Sequence, residues 1–77
     1  MEGINELDTI VLERDLPEFG LQRGDVGTIV HYYRDGAALE VEFVAGDGTT
    51  LAVLTLELDD VRPMRRREIL HARELAA

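Results

Sequence analysis

The side chains in this sequence that could do chemistry are carboxylates, two histidines and five threonines. There is no Cys, Ser or Lys, so thiol nucleophiles, serine nucleophiles and lysine chemistry are excluded. Residues 23–27 (RGDVG) lack the spacing and the Lys of a phosphate-binding loop, and residues 45–51 lack the alternating acids of a calcium loop. We therefore predict no catalytic site, metal or cofactor, and a protein that is not an enzyme.

The distribution of charge indicates what the chain binds. It has 16 acidic residues and eight basic residues, all Arg, for a net charge of −8. Residues 1–60 have a net charge of −11 and residues 61–77 of +3. An acidic surface repels phosphate backbones and attracts basic protein surfaces, so we expect a basic protein partner and no nucleic acid. The alternative is that the surplus charge only keeps a small protein soluble.

Apolar and acidic residues alternate in the third predicted strand, which places Glu40 and Glu42 on its solvent face. Because successive side chains of a strand point to opposite faces, Tyr32 and Tyr33 lie on opposite faces of theirs. Residues 51–56 are apolar on both faces, so this strand is covered on both sides or available for self-association. The adjacent acids 59 and 60 either cap a turn or extend the acidic surface, and the Arg cluster 65–67 is solvated, pairs with the body or contacts a partner. The candidate partner-binding residues are Tyr33, Glu40, Glu42, Leu54, Leu56, Asp59, Asp60, Arg65, Arg66 and Arg67.

Five short strands must position these residues. The pattern predicts strands over residues 9–13, 25–34, 38–44, 49–58 and 61–64, with a 3₁₀ turn at 58–60. A long loop follows the first strand, and Asp35-Gly36 predicts a type I′ hairpin turn. The last residues, rich in Ala, Leu, Glu and Arg, predict a helix. The fold class is mainly β: a small SH3-like five-stranded barrel (1–64) with a C-terminal α-helix (65–77), in a single domain.

The long loop and its glycines have structural interpretations. Leu16, Phe19 and Leu21 are expected to hold the loop against the barrel. Gly24 is expected to take a positive φ at the end of the loop. Gly27, inside a strand, predicts a bulge or a close backbone approach at a barrel corner.

The aspartate-led first strand, the GDVGT segment, the EVEF strand and the closing DDVRP resemble domain-of-unknown-function family 4926, over residues 7–64. The resemblance implies a small bacterial protein with an SH3-like barrel and no established activity. It also implies a gene paired with that of another short protein, which suits an accessory or antitoxin-like role. A weaker resemblance to barrels of the nitrile hydratase β subunit implies a small subunit of an enzyme complex.

No apolar run approaches the ~20 residues that span a bilayer, and the first residues do not resemble a secretory signal. We expect a cytoplasmic protein without membrane contact, also because cysteine is absent. We predict that the protein is an interaction module whose partner has a basic surface, and that it can form a homodimer. The alternatives are a nucleic-acid-binding barrel that uses the Arg-rich tail, and a small subunit of an enzyme complex.

Overall fold

The computed structural model describes residues 4–33 and 35–75 and consists mainly of β-strands. Five antiparallel strands form one sheet with the order β4-β3-β2-β1-β5. The predicted fold class is confirmed to this extent. The strands are β1 (Thr9–Leu12), β2 (Val26–Tyr32), β3 (Ala38–Val44), β4 (Thr50–Glu57) and β5 (Val61–Pro63).

The sheet is not closed, so the predicted closure into a barrel is wrong. Strands β4 and β5 stand at opposite ends of the strand order and do not pair within the described residues. Strand β5 has three residues and pairs only with β1, where Ile10 faces Pro63. Because proline has no backbone N–H, it limits the hydrogen bonds with which so short a strand could close the sheet. In the part of the chain that the structure describes, one edge of β4 has no neighbouring strand.

The predicted C-terminal helix is also wrong for the residues that the structure describes, since residues 64–75 contain one turn and otherwise irregular backbone. The carboxylate of Glu68 accepts a hydrogen bond from the Arg65 N–H at 2.6 Å, which holds the turn. Arg73 then reaches across the fold to Asp25. A helix of about 12 residues is marginal alone, so long-range ion pairs decide the path of this segment. Residues 76–77 of the predicted helix lie outside the described residues.

The core lies on one face of the sheet because every second side chain of β3 points to it. Leu39, Val41 and Phe43 are buried, and the residues between them are more exposed. Gly27 lies against this face: a Cβ built there would stand 2.6 Å from Val41 Cγ1 and 2.8 Å from Phe43 Cε1. The backbone also comes close, since the Glu42 carbonyl oxygen would stand 3.1 Å from this Cβ, but the site is not the corner of a closed barrel. The bulge in β2 lies further along, between Ile29 and His31.

Two leucines hold the long loop between β1 and β2. Leu16 and Leu21 exchange backbone hydrogen bonds and are buried in the core. Phe19, which was expected to join them, is 51% exposed at the end of the 3₁₀ turn Pro17–Phe19. Gly24 has φ +95°, as predicted, and ends the loop.

The β2–β3 hairpin differs from the predicted type I′ turn. Gly36 has a positive φ, whereas Leu7 is the only non-glycine residue with a positive φ among the described residues, so Asp35 does not. The Tyr33 N–H donates to the Ala38 carbonyl, and the Asp35 carboxylate accepts from the Ala37 N–H. The connection is therefore longer than the two residues of the predicted turn.

Candidate protein-binding surface

The side of the sheet opposite the core carries two acidic side chains at its centre. In β3, Glu40 and Glu42 alternate with the buried residues and so point away from the core. Glu42 stands between Thr28 of β2 and Val53 of β4, and Glu40 stands opposite Thr55. We call this surface the outer face. Its residues are Tyr33, Glu40, Glu42, Val53 and Thr55.

Hydroxyl groups orient both carboxylates of the outer face. Tyr33 Oη donates to Glu40 Oε1 at 3.1 Å, and Thr55 Oγ1 donates to the same oxygen. Thr50 Oγ1 donates to Glu42 Oε2 at 2.7 Å. Among the described residues, no cationic side chain pairs with Glu40 or Glu42. These hydrogen bonds hold the carboxylates in place, and no ion pair within residues 4–33 and 35–75 neutralises their charge.

The exposed aromatic ring at the rim of the outer face is that of Tyr33, while Tyr32 packs against the core. The hydrogen bond to Glu40, partial desolvation and the carboxylate charge raise the pKa of Tyr33, so its hydroxyl stays protonated and can donate. His31 meets the Tyr33 ring edge-to-face with ring centres 4.6 Å apart. Aromatic side chains beside oriented charges are common in protein interfaces.

Strand β4 presents different apolar residues from those that the sequence predicted for partner contact. Leu56 is 5% exposed and Leu54 packs against the core, so the chain itself covers both. The reason is register: they stand opposite Leu39 and Val41, which belong to the core face. Leu51 and Val53 are exposed instead, Val53 to 50%.

Of the two adjacent acids after β4, Asp60 has a structural role. Its carboxylate accepts from the Glu57 N–H at 2.9 Å and from Arg14 Nε at 2.6 Å. Burial acts to raise the pKa of Asp60, but the hydrogen bonds from Arg14 and Glu57 outweigh it, so the pKa lies below its usual value. Asp59 is exposed. Of the two interpretations of Asp59 and Asp60, turn capping therefore applies to Asp60.

The arginine cluster lies in the turn after β5, and Arg65, Arg66 and Arg67 are all exposed. The ion pairs formed at this turn use Arg62, which was not predicted. Arg62 Nη2 lies 2.6 Å from Glu68 Oε2, and its Nε lies 3.3 Å from Glu13 Oε1. Hydrogen bonds from Arg62 and the Arg65 N–H lower the pKa of Glu68 to about 2.

A second acidic site, not predicted from the sequence, lies at the end of the long loop. Asp25 is 7% exposed and accepts hydrogen bonds from the Gln22 N–H and from two nitrogens of Arg73. His71 Nε2 lies 3.2 Å from Asp25 Oδ1. Burial acts to raise the pKa of Asp25, but the hydrogen bonds from Arg73 and Gln22 and the charge of Arg73 prevail and lower it.

The described residues contain no group of three or more His, Asp or Glu side chains that could hold a metal ion. In the same part of the chain, no helix has the length and apolar character needed to cross a membrane.

The geometry defines a small domain built on one open, five-stranded antiparallel sheet, with an apolar core on one side and an acidic face on the other. The chain belongs to the family described as Domain of unknown function (DUF4926), whose model matches residues 6–63. The match confirms the resemblance seen in the sequence, spans all five strands and ends at the last residue of β5. No curated protein and no solved structure matches the chain.

Proposed function

We propose that this protein is a non-enzymatic interaction module that binds a basic surface of a protein partner through its outer face. The observation that supports this most is the pair of carboxylates at the centre of the face. Glu40 and Glu42 are oriented by hydroxyls of Tyr33, Thr55 and Thr50, and no described cation neutralises them. Carboxylates that are already ordered lose little conformational entropy on pairing with Arg or Lys of a partner.

The composition of the outer face supports a protein partner over a nucleic acid. Residues 1–60 carry a net charge of −11, which repels phosphates and accelerates association with a basic protein. Exposed Val53 and the Tyr33 ring add apolar area next to the charges. The unpaired edge of β4 borders the same face and supplies free backbone groups to a bound segment.

Three finer expectations belong to the same proposal. The order β4-β3-β2-β1-β5 with a long first loop supports an open variant of the SH3-like architecture. The family resemblance supports a bacterial, accessory or antitoxin-like role beside the product of a neighbouring gene. The absence of cysteine supports a cytoplasmic location.

Co-expression with the product of the neighbouring gene tests the proposal. We expect the two proteins to co-purify at low salt, and the complex to weaken as salt screens the charges. The variant E40Q/E42Q should lose most of this association because it removes both central charges while keeping hydrogen-bond acceptors.

The matched control is E18Q/E74Q, which removes the same number of charges from exposed positions outside the outer face. We expect the control variant to retain the partner. Equal losses in both double variants would show that only net charge matters, and no complex at micromolar concentration would overturn the proposal.

A further inference from the structure

Asp25 is the only buried charged residue among those that the structure describes. It lies directly after Gly24, where the long loop enters β2, and its carboxylate faces a guanidinium from a segment 48 positions away in the chain. Removing an ionised carboxylate from water is costly unless a cation and hydrogen bonds replace the water. The site is therefore built for a cationic occupant.

The occupant in this structure is Arg73, held with the geometry of specific guanidinium recognition. Arg73 Nε donates to Asp25 Oδ1 at 2.9 Å, and Nη2 donates to Asp25 Oδ2 at 2.6 Å. Nη2 also donates to the Gly20 carbonyl at 2.8 Å. Two parallel hydrogen bonds to one carboxylate match the planar fork of arginine, and lysine cannot reproduce them.

An apolar groove surrounds this pair. Leu21, Val26 and Phe43 line one side, together with Leu51 at the start of β4. Leu70 and Leu75 of the tail line the other side, three residues before Arg73 and two residues after it. The groove therefore lies between the sheet and the tail, and the apolar residues that flank Arg73 form its second wall.

The tail is anchored at Glu68 and Arg73, and between them His71 Nε2 lies 3.2 Å from Asp25 Oδ1. Ile69 is 93% exposed, Leu70 is mostly exposed, and residues 68–75 contain no helix or strand. Segments with so few buried contacts open at low free-energy cost. Moreover, the family match ends at residue 63, so it includes Asp25 and the strands of the groove but not the tail that forms its other wall.

We propose that the Asp25 groove is a binding site for an arginine side chain on an extended segment of the basic protein partner, and that Arg73 occupies it as an intramolecular competitor. The acidic body, with a net charge of −11 over residues 1–60, attracts such a basic segment as well as the chain's own tail. Only the identity of the natural occupant rests on the proposed function. The groove and its preference for arginine rest on the contacts of Asp25.

A peptide copy of the tail tests the site on the full chain. The probe is the amidated peptide LHAREL, residues 70–75, with a fluorophore coupled to its N-terminal amine for polarisation measurements. We expect R73A to bind it at least about tenfold more tightly than the wild type, because the competing side chain is gone. A peptide with Lys in place of its Arg should bind R73A about tenfold more weakly.

Two further variants keep the test decisive. R73K keeps the positive charge but loses the two-pronged contact, so it too should bind the peptide more tightly than the wild type if R73A does not fold. The variant D25N/R73A should lose peptide binding. Peptide affinity no higher in folded R73A or R73K than in the wild type, or binding by D25N/R73A equal to that of R73A, would overturn the site.

If the groove instead binds the tail of a second copy of this chain, sedimentation gives a different result. A wild-type dimer in sedimentation that R73A abolishes would assign the groove to tail exchange and overturn the choice of a partner segment. Since the peptide measurements contain no partner protein, their failure leaves the outer-face proposal standing. Conversely, co-purification unaffected by E40Q/E42Q overturns the outer face and leaves the groove.

Discussion

Along β3, successive side chains meet opposite environments. Leu39, Val41 and Phe43 are buried on the inner face, whereas Glu40 and Glu42 on the outer face contact hydroxyl groups and solvent. The inner face leaves no room for a change, since even a methyl group at Gly27 would clash. The outer face holds two charges that accept hydrogen bonds from hydroxyls but form no ion pair among the described residues, so a partner can bind there without disturbing the core.

Three other carboxylates differ from Glu40 and Glu42 because they form ion pairs within the chain. Asp25, Asp60 and Glu68 each pair with an arginine, and each has a lowered pKa. These acids hold the loop, the turn after β4 and the tail. Glu40 and Glu42 have no such partner among the described residues, so a basic protein can pair with them directly, whereas it must displace Arg73 to reach Asp25.

The largest effect is expected on the inner face, from Gly27→Ala. Its Cβ would stand less than 3 Å from side-chain atoms of Val41 and Phe43, so these buried side chains must move. We expect a loss of about 2–3 kcal/mol in the free energy of unfolding, measured by urea denaturation. Gly46→Ala is the control, because nothing lies within 4 Å of its Cβ and it is exposed. Equal stability of the two variants would contradict the tight inner face.

Asp25→Ala should have the next largest effect. It leaves the Gln22 N–H and the Arg73 guanidinium without their acceptor. We expect a loss of roughly 1–2 kcal/mol, measured in the same way. Glu42→Ala on the outer face is the comparison, with an expected change within about 0.5 kcal/mol. An equal loss in Glu42→Ala would remove the distinction between the two kinds of acid.

Acid should destabilise the protein through the arginine-paired carboxylates. The pKa of Glu68 is about 2 in the folded state against an ordinary 4.5, so the unfolded state binds the proton more readily. The contribution of Glu68 is therefore complete above pH 4.5 and is lost as the pH falls toward 2. Urea denaturation at several pH values should show a shallower loss in Glu68→Gln than in the wild type. If the free energy of unfolding falls equally with pH in both proteins, the ion pair of Glu68 does not stabilise the fold.

The smallest effect on stability is expected from E40Q/E42Q. Removing two like charges that have no cationic partner among the described residues should change the free energy of unfolding by less than about 0.5 kcal/mol. Thermal unfolding monitored by circular dichroism provides the check. A loss above about 1 kcal/mol would mean that these acids support the fold, as Asp25 does.

Features of the fold that depend on local sequence patterns could be predicted, whereas contacts between residues far apart in the chain could not. Strand β3 was predicted residue for residue because its apolar and acidic residues alternate strictly, and the same alternation placed Glu40 and Glu42 outward. The tail was wrongly predicted as a helix because helix propensity is local, whereas the Arg73–Asp25 pair joins residues 48 positions apart. Asp25 was missed as a site for the same reason: nothing near it in the sequence identifies its arginine.

The central claim concerns which face meets the partner, and an NMR titration tests it most directly. Amide spectra of the ¹⁵N-labelled chain would be recorded while the unlabelled product of the neighbouring gene is added. The account predicts the largest shifts at the amides of Tyr33, Glu40, Glu42, Val53 and Thr55, with smaller shifts at β1 and β5. Largest shifts at β1 or β5, with the outer face unmoved, would contradict it.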